Sequence, residues 1–296
     1  KKPDFITKKL FIMTGVCCLT FSICMSSYGY INAKNIKTTN YTIKINKQIK
    51  NHSDLKIVLI SDLHLGYNID NSHISKMVKK INQQQPDLVV IAGDIFDNDY
   101  EAILEPNNII QTLKNIQSKY GVYACYGNHD IQETILIGFT FDNPHDKDES
   151  DIRMDEFLKK ANIHLLHDEG VLIDNSFYLF GRADRQKPGK NIKKRKTPQQ
   201  ITQNMNKNLP IIVLDHQPDQ LQDLADAGVD LDLSGHTHNG QIFPCNIVTS
   251  FIWENSYGCI QKDNMYSITT SGVDLFGPFM RIGSNGEICT ITIRFK

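Results

Sequence analysis

The sequence lacks an excess of either charge. Its 32 Lys+Arg stand against 33 Asp+Glu over 296 residues. A near-neutral chain sets up no global field, so nucleic acid is not expected as a partner. It also lacks paired-cysteine spacing. Cys17, Cys18 and Cys24 fall in one apolar run, while Cys125, Cys245, Cys259 and Cys289 are scattered without a C-x-x-C. That pattern is neither a disulfide framework nor a zinc knuckle, and a Cys245–Cys259 bridge is the one pairing left open. Internal repeats and long low-complexity segments are missing too. The length permits one large domain or two small ones, and an apolar fraction of 40% is ordinary for a globular chain.

Charge is missing altogether from Leu10 to Ala33, "LFIMTGVCCLTFSICMSSYGYINA". A membrane-spanning helix needs roughly 20 mostly apolar residues. The run meets that length, and it shows no clear small-x-small cleavage site, so it reads as an anchor rather than a signal peptide. Lys1, Lys2, Lys8 and Lys9 precede it. By the positive-inside tendency the remainder lies on the extracytoplasmic side of a cell membrane, although Lys34 and Lys37 sit on the other flank. Residues 34–52 are polar with an alternating patch "YTIKIN", a tether or an edge strand.

What is present is a series of apolar strands that stop at metal-type side chains. "LKIVLISDLHLG" stops at Asp62 and His64, "PDLVVIAGDIFDN" at Asp94, "GVYACYGNHD" at Asn128 and His129, "LPIIVLDHQPD" at His216, and "VDLDLSGHTHNG" at His236 and His238. Strands apolar on both faces suit a layered α/β core. Helix-like stretches over 72–84, 106–121 and 148–163 alternate with them, which implies ligand binding at the carboxyl ends of strands. Two histidines separated by one residue point to the same side of an extended backbone, and neutral imidazole is a common metal ligand. Mixed nitrogen and oxygen donors suit Mn, Fe or Zn rather than Mg or Ca.

These five blocks, D-x-H, G-D-x-x-D, G-N-H-D, a lone His and G-H-x-H, resemble the calcineurin-like metallophosphoesterase family in kind and order. The match spans residues 57–243. The spellings "LDHQPD", "LSGHTHNGQIFP" and "TSGVDLFGPFMRIG" resemble its membrane-associated or exported bacterial members. The resemblance implies an αββα sandwich of two mixed β-sheets flanked by helices, occupying 53–296, with a transmembrane helix within 1–33. It implies two divalent ions, one held by Asp62, His64 and His238, the other by Asn128, His216 and His236, with Asp94 between them. His129 is implied as general acid, oriented by Asp97 or by Asp130. The implied activity is hydrolysis of a phosphodiester or pyrophosphate by metal-activated hydroxide, on a substrate linked to lipid or the cell envelope. The alternative is a metal-binding interaction scaffold on the same fold. An amidohydrolase also uses H-x-H but places it near the start of a barrel.

Other polar residues carry weaker expectations. His73 reads as surface on a helix. His52, His145, His164 and His167 have no ligand spacing. Arg182 and Asp184 reach the site or form a structural ion pair. Arg281 grips a substrate phosphate or stabilises the fold. The loops 142–151 and 187–196 read as solvated, the second with enough basic residues to touch an anionic membrane.

Overall fold

A computed structural model describes residues 5–49, 54–131, 134–136, 139–141, 151–189 and 191–296. Lys1, Lys2, His52, His145 and most of the loop 142–151 lie outside the described residues. A long helix, α1 (Phe5–Ala33), precedes two six-stranded sheets. The first sheet runs β1 (Ile36–Ile45), β14 (Gly286–Phe295), β2 (Asp54–Ile60), β3 (Leu88–Ala92), β4 (Val122–Cys125), β7 (Ile163–Leu165). The second runs β12 (Gly258–Lys262), β13 (Met265–Thr269), β11 (Leu231–Ser234), β10 (Ile211–Leu214), β9 (Phe177–Gly181), β8 (Glu169–Ile173). Both are mixed: β14 meets β2, β12 meets β13 and β8 meets β9 antiparallel, and the other neighbours are parallel. A separate hairpin joins β5 (Thr134–Leu136) and β6 (Phe139–Phe141).

The strand period of two sorts the apolar residues into layers. In β2, Ile57 and Leu59 face the second sheet, while Val58 and Ile60 face helices. In β10, Ile212 and Leu214 face inward and Ile211 and Val213 outward. The outer face of the first sheet is covered by α2 (Asn71–Gln83), α3 (Pro106–Leu113) and α4 (Ile152–Lys160), through residues such as Met77, Ile109 and Phe157. The outer face of the second is covered by α5 (Pro198–Thr202) and α6 (Leu221–Ala227), through Ile201 and Leu224. The result is the expected αββα sandwich. Residues Ile36–Ile45, a tether or an edge strand on sequence grounds, are strand β1, and its Ile43 and Ile45 are buried between the sheets.

The last 12 residues before Glu254 in this region, "IFPCNIVTSFIW", carry no charge. They contain α7 (Cys245–Ile252), a helix with no buried residue. All seven cysteines are free, so the Cys245–Cys259 pairing is not made.

α1 is apolar and long enough to cross a membrane from Thr7 to Ala33. Its far end docks on the loop before β14. Arg281 N donates to Gly29 O at 3.0 Å, and Asn32 Nδ2 donates to Arg281 O at 3.2 Å and Ser284 O at 2.8 Å. The Tyr30 and Phe279 rings pack with centroids 5.6 Å apart.

Candidate metal centre

β2, β3 and β4 are neighbours in one sheet, β10 and β11 in the other, and the segments that follow these five strands converge. Asp62 N donates to Gly93 O at 3.0 Å, His64 N to Asp94 O at 3.1 Å and Gly235 N to His216 O at 3.1 Å. Each strand-end loop is thus pinned by a neighbouring loop. The local backbone is unusual for non-glycine residues: Asp62, His64, Asp94, His236 and His238 all have positive φ. Such conformations cost free energy and cluster where a site needs them. Space is equally constrained. A Cβ on Gly93 would stand 2.6 Å from His216 Nδ1, and one on Gly272 would stand 2.8 Å from the Asp62 carboxylate.

Two groups of donors result. Asp62, His64 and His238 form one, with His64 Nε2 3.2 Å from His238 Nε2 and His238 Nε2 3.6 Å from Asp62 Oδ1. Asp94, His216 and His236 form the other, with His216 Nε2 3.0 Å from Asp94 Oδ2 and 3.1 Å from His236 Nδ1. The same Asp94 oxygen is 3.9 Å from His64 Nε2, so this carboxylate lies between the groups. Asn128 Oδ1 is buried without a hydrogen-bond partner among the described residues. An orphaned amide oxygen and imidazole nitrogens aimed at each other fit a cation: each would otherwise waste an acceptor in a dry site. His216 is oriented for such a role, its Nδ1 being 2.8 Å from Ala92 O, which leaves Nε2 for the site. A third group, His64, Asp97 and His129, shares His64 with the first.

The charges in the cluster are set by burial first. Burial would raise the Asp94 carboxyl, but His216 and His129 outweigh it and hold the group well below its ordinary range. Burial would lower His216, and Asp94 instead holds it well above the usual imidazole range. His238 is lowered by burial and by His64, and His236 is lowered to about 3 by burial and His216. His129 is lowered by burial despite Asp94. His236 and His238 are therefore neutral donors at neutral pH, the state a cation binds.

The orienting residues differ from expectation. His129 Nδ1 lies 2.9 Å from the side-chain amide of buried Asn98, and 4.0 Å from Asp97 Oδ1. Asp97 Oδ1 stands slightly closer to His64 Nδ1, at 3.7 Å. The Asp130 carboxylate turns to the backbone instead: it accepts from Ile95 N at 2.9 Å, Phe96 N at 2.8 Å and Gly127 N at 2.7 Å. It ties the loop after β3 to the loop after β4. Asn98 was in view in "GDIFDN", but an amide there carries no charge signal. Phe276, 4.6 Å from the His129 ring, and Trp253, 4.9 Å from the His236 ring, also join the site without a sequence signal, because apolar rings leave no ligand spacing.

The remaining polar residues mostly serve the fold. Arg281 is fully buried and donates to the carbonyls of His238, Ser271, Gly272 and Asp274 and to the Ser284 hydroxyl. Its two terminal nitrogens are engaged in holding the loop that carries His238, while Nε has no hydrogen-bond partner among the described residues, and the fold-stabilising reading applies. Arg182 is an ion pair with Asp215 at 2.6 Å, and Asp184 accepts from Gln186 N and Lys187 N. His73 is buried, not on the surface, with Nε2 2.7 Å from Asp274 Oδ1. The loop 187–196 is not wholly solvated: Arg195 is buried and bridges Asp215 and Asp219. His164 stacks on Tyr123 and His167 meets Tyr126 edge-on, both apart from the donor groups.

Comparison with known proteins agrees with this geometry. A metallophosphoesterase of Campylobacter jejuni, described as uncharacterized, is 28% identical over 100% of this chain and 73% of its own length. A zebrafish (Danio rerio) transmembrane protein with a metallophosphoesterase domain is 28% identical over 94% of this chain and 62% of its own. A UDP-2,3-diacylglucosamine pyrophosphatase of Chlamydia muridarum is 26% identical over 72% of each chain. The model of the calcineurin-like phosphoesterase family matches residues 55–240, which carry every residue of both donor groups. The chain belongs to the calcineurin-like phosphoesterase family.

Proposed function

We propose that this protein is a membrane-anchored phosphoesterase that cleaves phosphodiester or pyrophosphate bonds with two divalent ions of the Mn, Fe or Zn type. Its family binds a divalent metal pair, and the donor groups supply candidates for both ions. Asp62, His64 and His238 would hold one ion and Asn128, His216 and His236 the other, with Asp94 shared. The observation that carries this reading is the position of the Asp94 carboxylate, 3.0 Å from His216 and 3.9 Å from His64. Bound there, the pair would supply Lewis-acid polarisation of the phosphoryl group and an acidified water.

The chain's own residues supply the rest. Fixed loops orient the donors before substrate arrives, so little reorganisation is needed during reaction. His129 belongs to neither proposed ion set. With Nδ1 held by Asn98, its Nε2 is the atom that would carry a proton to the departing oxygen once the ring is protonated, a state that burial opposes and Asp94 and Asp97 favour. Phe276, packed on the rings of both His129 and His64, keeps water from one side of them. α1 anchors the domain, and the lysines at its start, Lys8 and Lys9, favour the extracytoplasmic side for the domain. A lipid-linked or envelope-linked substrate suits that position, and a relative named for a pyrophosphatase of an acylated sugar nucleotide supports the class.

The test is a panel of mono-, di- and pyrophosphoesters offered to the Mn-loaded full chain, with bound metal measured in parallel. Turnover of diesters or pyrophosphates with about two ions per chain is expected. Two ions with no turnover on any ester would favour the alternative, a metal-binding interaction scaffold.

A further inference from the structure

We propose that α7 and Phe243 form a membrane-seating surface, which lies on the same bilayer that holds α1 and brings the mouth of the metal centre to the lipid surface. The inference rests on the reading of α1 as an anchor, and it narrows the substrate to a phosphoester borne by a lipid.

The first observation is an apolar surface that the fold leaves uncovered. Phe243, Ile247, Val248, Phe251 and Ile252 are all exposed, Phe251 to 85%. Scattered surface apolar residues need no explanation, but a contiguous patch does. Here five large apolar side chains crowd one short segment without a charge from Ile242 to Trp253.

The second observation places that segment beside the end of α1. Twenty helical residues span a hydrocarbon core, so counting from Leu10 the lipid boundary falls near Tyr28–Tyr30. Tyrosines favour that depth, and Lys34 lies just beyond, its ammonium 4.1 Å from the Tyr30 ring centroid. The loop Pro278–Ser284 docks on this part of the helix through Gly29 and Asn32. The same loop starts α7: Phe243 N donates to Ile282 O at 2.7 Å. The boundary of the bilayer and the base of α7 are thus one Arg281–Ile282 dipeptide apart. A soluble partner would have to reach this patch beside the membrane, whereas the bilayer is already there.

The third observation ties the surface to the chemistry. α7 leaves directly from the loop carrying His236 and His238, with Cys245 N donating to Ile242 O at 2.9 Å. It returns to that loop at Trp253, whose ring meets His236 edge-on, and at Ser256, whose carbonyl accepts from Thr237 Oγ1 at 2.6 Å. Arg281, the first residue of that dipeptide, holds His238 O through its guanidinium. A surface that seats α7 in lipid therefore seats the donors of both groups just above it.

The test uses the full chain in phosphatidylcholine vesicles with or without brominated acyl chains. Trp253 is the single native tryptophan, so the unsubstituted protein gives the baseline. Phe251→Trp reports on α7, Phe21→Trp on the anchor, and Leu172→Trp, on β8 of the second sheet, on the aqueous face. The expected result is bromine quenching at positions 21 and 251 and aqueous acrylamide quenching at 172 only. Bromine quenching at 21 with aqueous quenching at 251 would leave the anchor standing and overturn the seating surface. Absence of bromine quenching at 21 would remove the anchor and this inference with it. Shielding at 251 that rises with protein concentration and ignores bromine would name a second copy as the occupant, and would also overturn it. In a functional arm, Phe251→Asp should leave hydrolysis of a water-soluble nitrophenyl diester unchanged and slow hydrolysis of a vesicle-borne phosphoester roughly tenfold or more. Equal loss on both substrates, or loss on neither, would contradict the proposal.

Discussion

Asn98 holds His129 through both its backbone and its side chain. Its backbone N–H donates to the His129 carbonyl at 2.9 Å, and its side-chain amide meets the ring at Nδ1, also at 2.9 Å. With the amide oxygen facing the ring, that oxygen accepts from Nδ1–H, and the amide nitrogen donates to His129 O at 3.0 Å and Ile131 O at 3.3 Å. One buried amide thus fixes the tautomer, the ring plane and the backbone of the proposed general acid.

Asn98→Ala should therefore reduce turnover of alkyl esters roughly tenfold or more while leaving bound metal near normal, because a loosened general acid loses part of its ~10²–10⁴-fold worth. Asp97→Ala should act differently, lowering metal affinity about 10–100-fold through the slackened His64. Kinetics beside metal analysis on the two variants decides the matter. If Asp97→Ala loses turnover at full metal occupancy and Asn98→Ala is silent, the roles are reversed.

His238→Ala should lower metal content and activity together. His129→Ala should keep its metal and still slow turnover by ~10²–10⁴-fold, with the deficit shrinking for nitrophenol esters, whose leaving group needs little protonation. An equal deficit on alkyl and nitrophenyl esters would remove His129 from proton transfer.

The sequence made the architecture readable because its strand ends are chemically loud. Apolar runs that stop at Asp62, Asp94, Asn128, His216 and His236 report both strand direction and the edge where ligands gather. What stayed hidden depends on contacts between distant segments. Nothing near His73 announces Asp274, some two hundred residues on, so its burial could not be read locally. Arg281 reads equally as a phosphate grip or a fold stabiliser, and Arg195 sits in a basic loop; only packing shows their donors spent on carbonyls and carboxylates. Asp130 sits in a catalytic-looking motif, yet its oxygens complete the backbone bonding of two loops, a demand that no spacing records.

Arg281→Ala should destabilise the fold by several kcal/mol, because each buried carbonyl left without its donor costs about 1–3 kcal/mol. The carbonyls of His238, Ser271 and Asp274 would lose their donor inside the protein. Thermal unfolding should shift down by at least several degrees, about 2 °C for each kcal/mol. An unchanged midpoint with weakened substrate binding would instead return Arg281 to the role of a phosphate clamp.

Asp232 should give the protein a falling stability between about pH 4 and pH 8. Burial, followed by nearby Asp215, raises its carboxyl from 3.8 to about 8. A group whose pKa is raised by folding contributes fully below the unfolded value, and that contribution is lost as pH rises through the folded value. Asp232→Asn keeps an oxygen for the Ser267 hydroxyl, 3.0 Å away, but does not titrate. It should flatten this slope and stabilise the fold near pH 8 by on the order of a few kcal/mol. Melting curves of both proteins across that range check it, and parallel pH profiles would contradict it.

The position of β14 sets a timetable for biogenesis. It lies between β1 and β2, so Ile43 pairs with Ile293 on one side and Leu55 pairs with the same Ile293 on the other. Until that strand leaves the ribosome, β1 and β2 cannot join a common sheet, although both were made long before. The apolar helix, emerging earlier still, is available to the insertion machinery throughout. On the proposed reading of α1 as an anchor, the nascent chain would be committed to the membrane while its first sheet still has two open edges, a state in which unpaired strands invite mispairing. Tethering each chain by its helix would keep these unfinished sheets apart during that interval. The helix would then assist folding before it serves location.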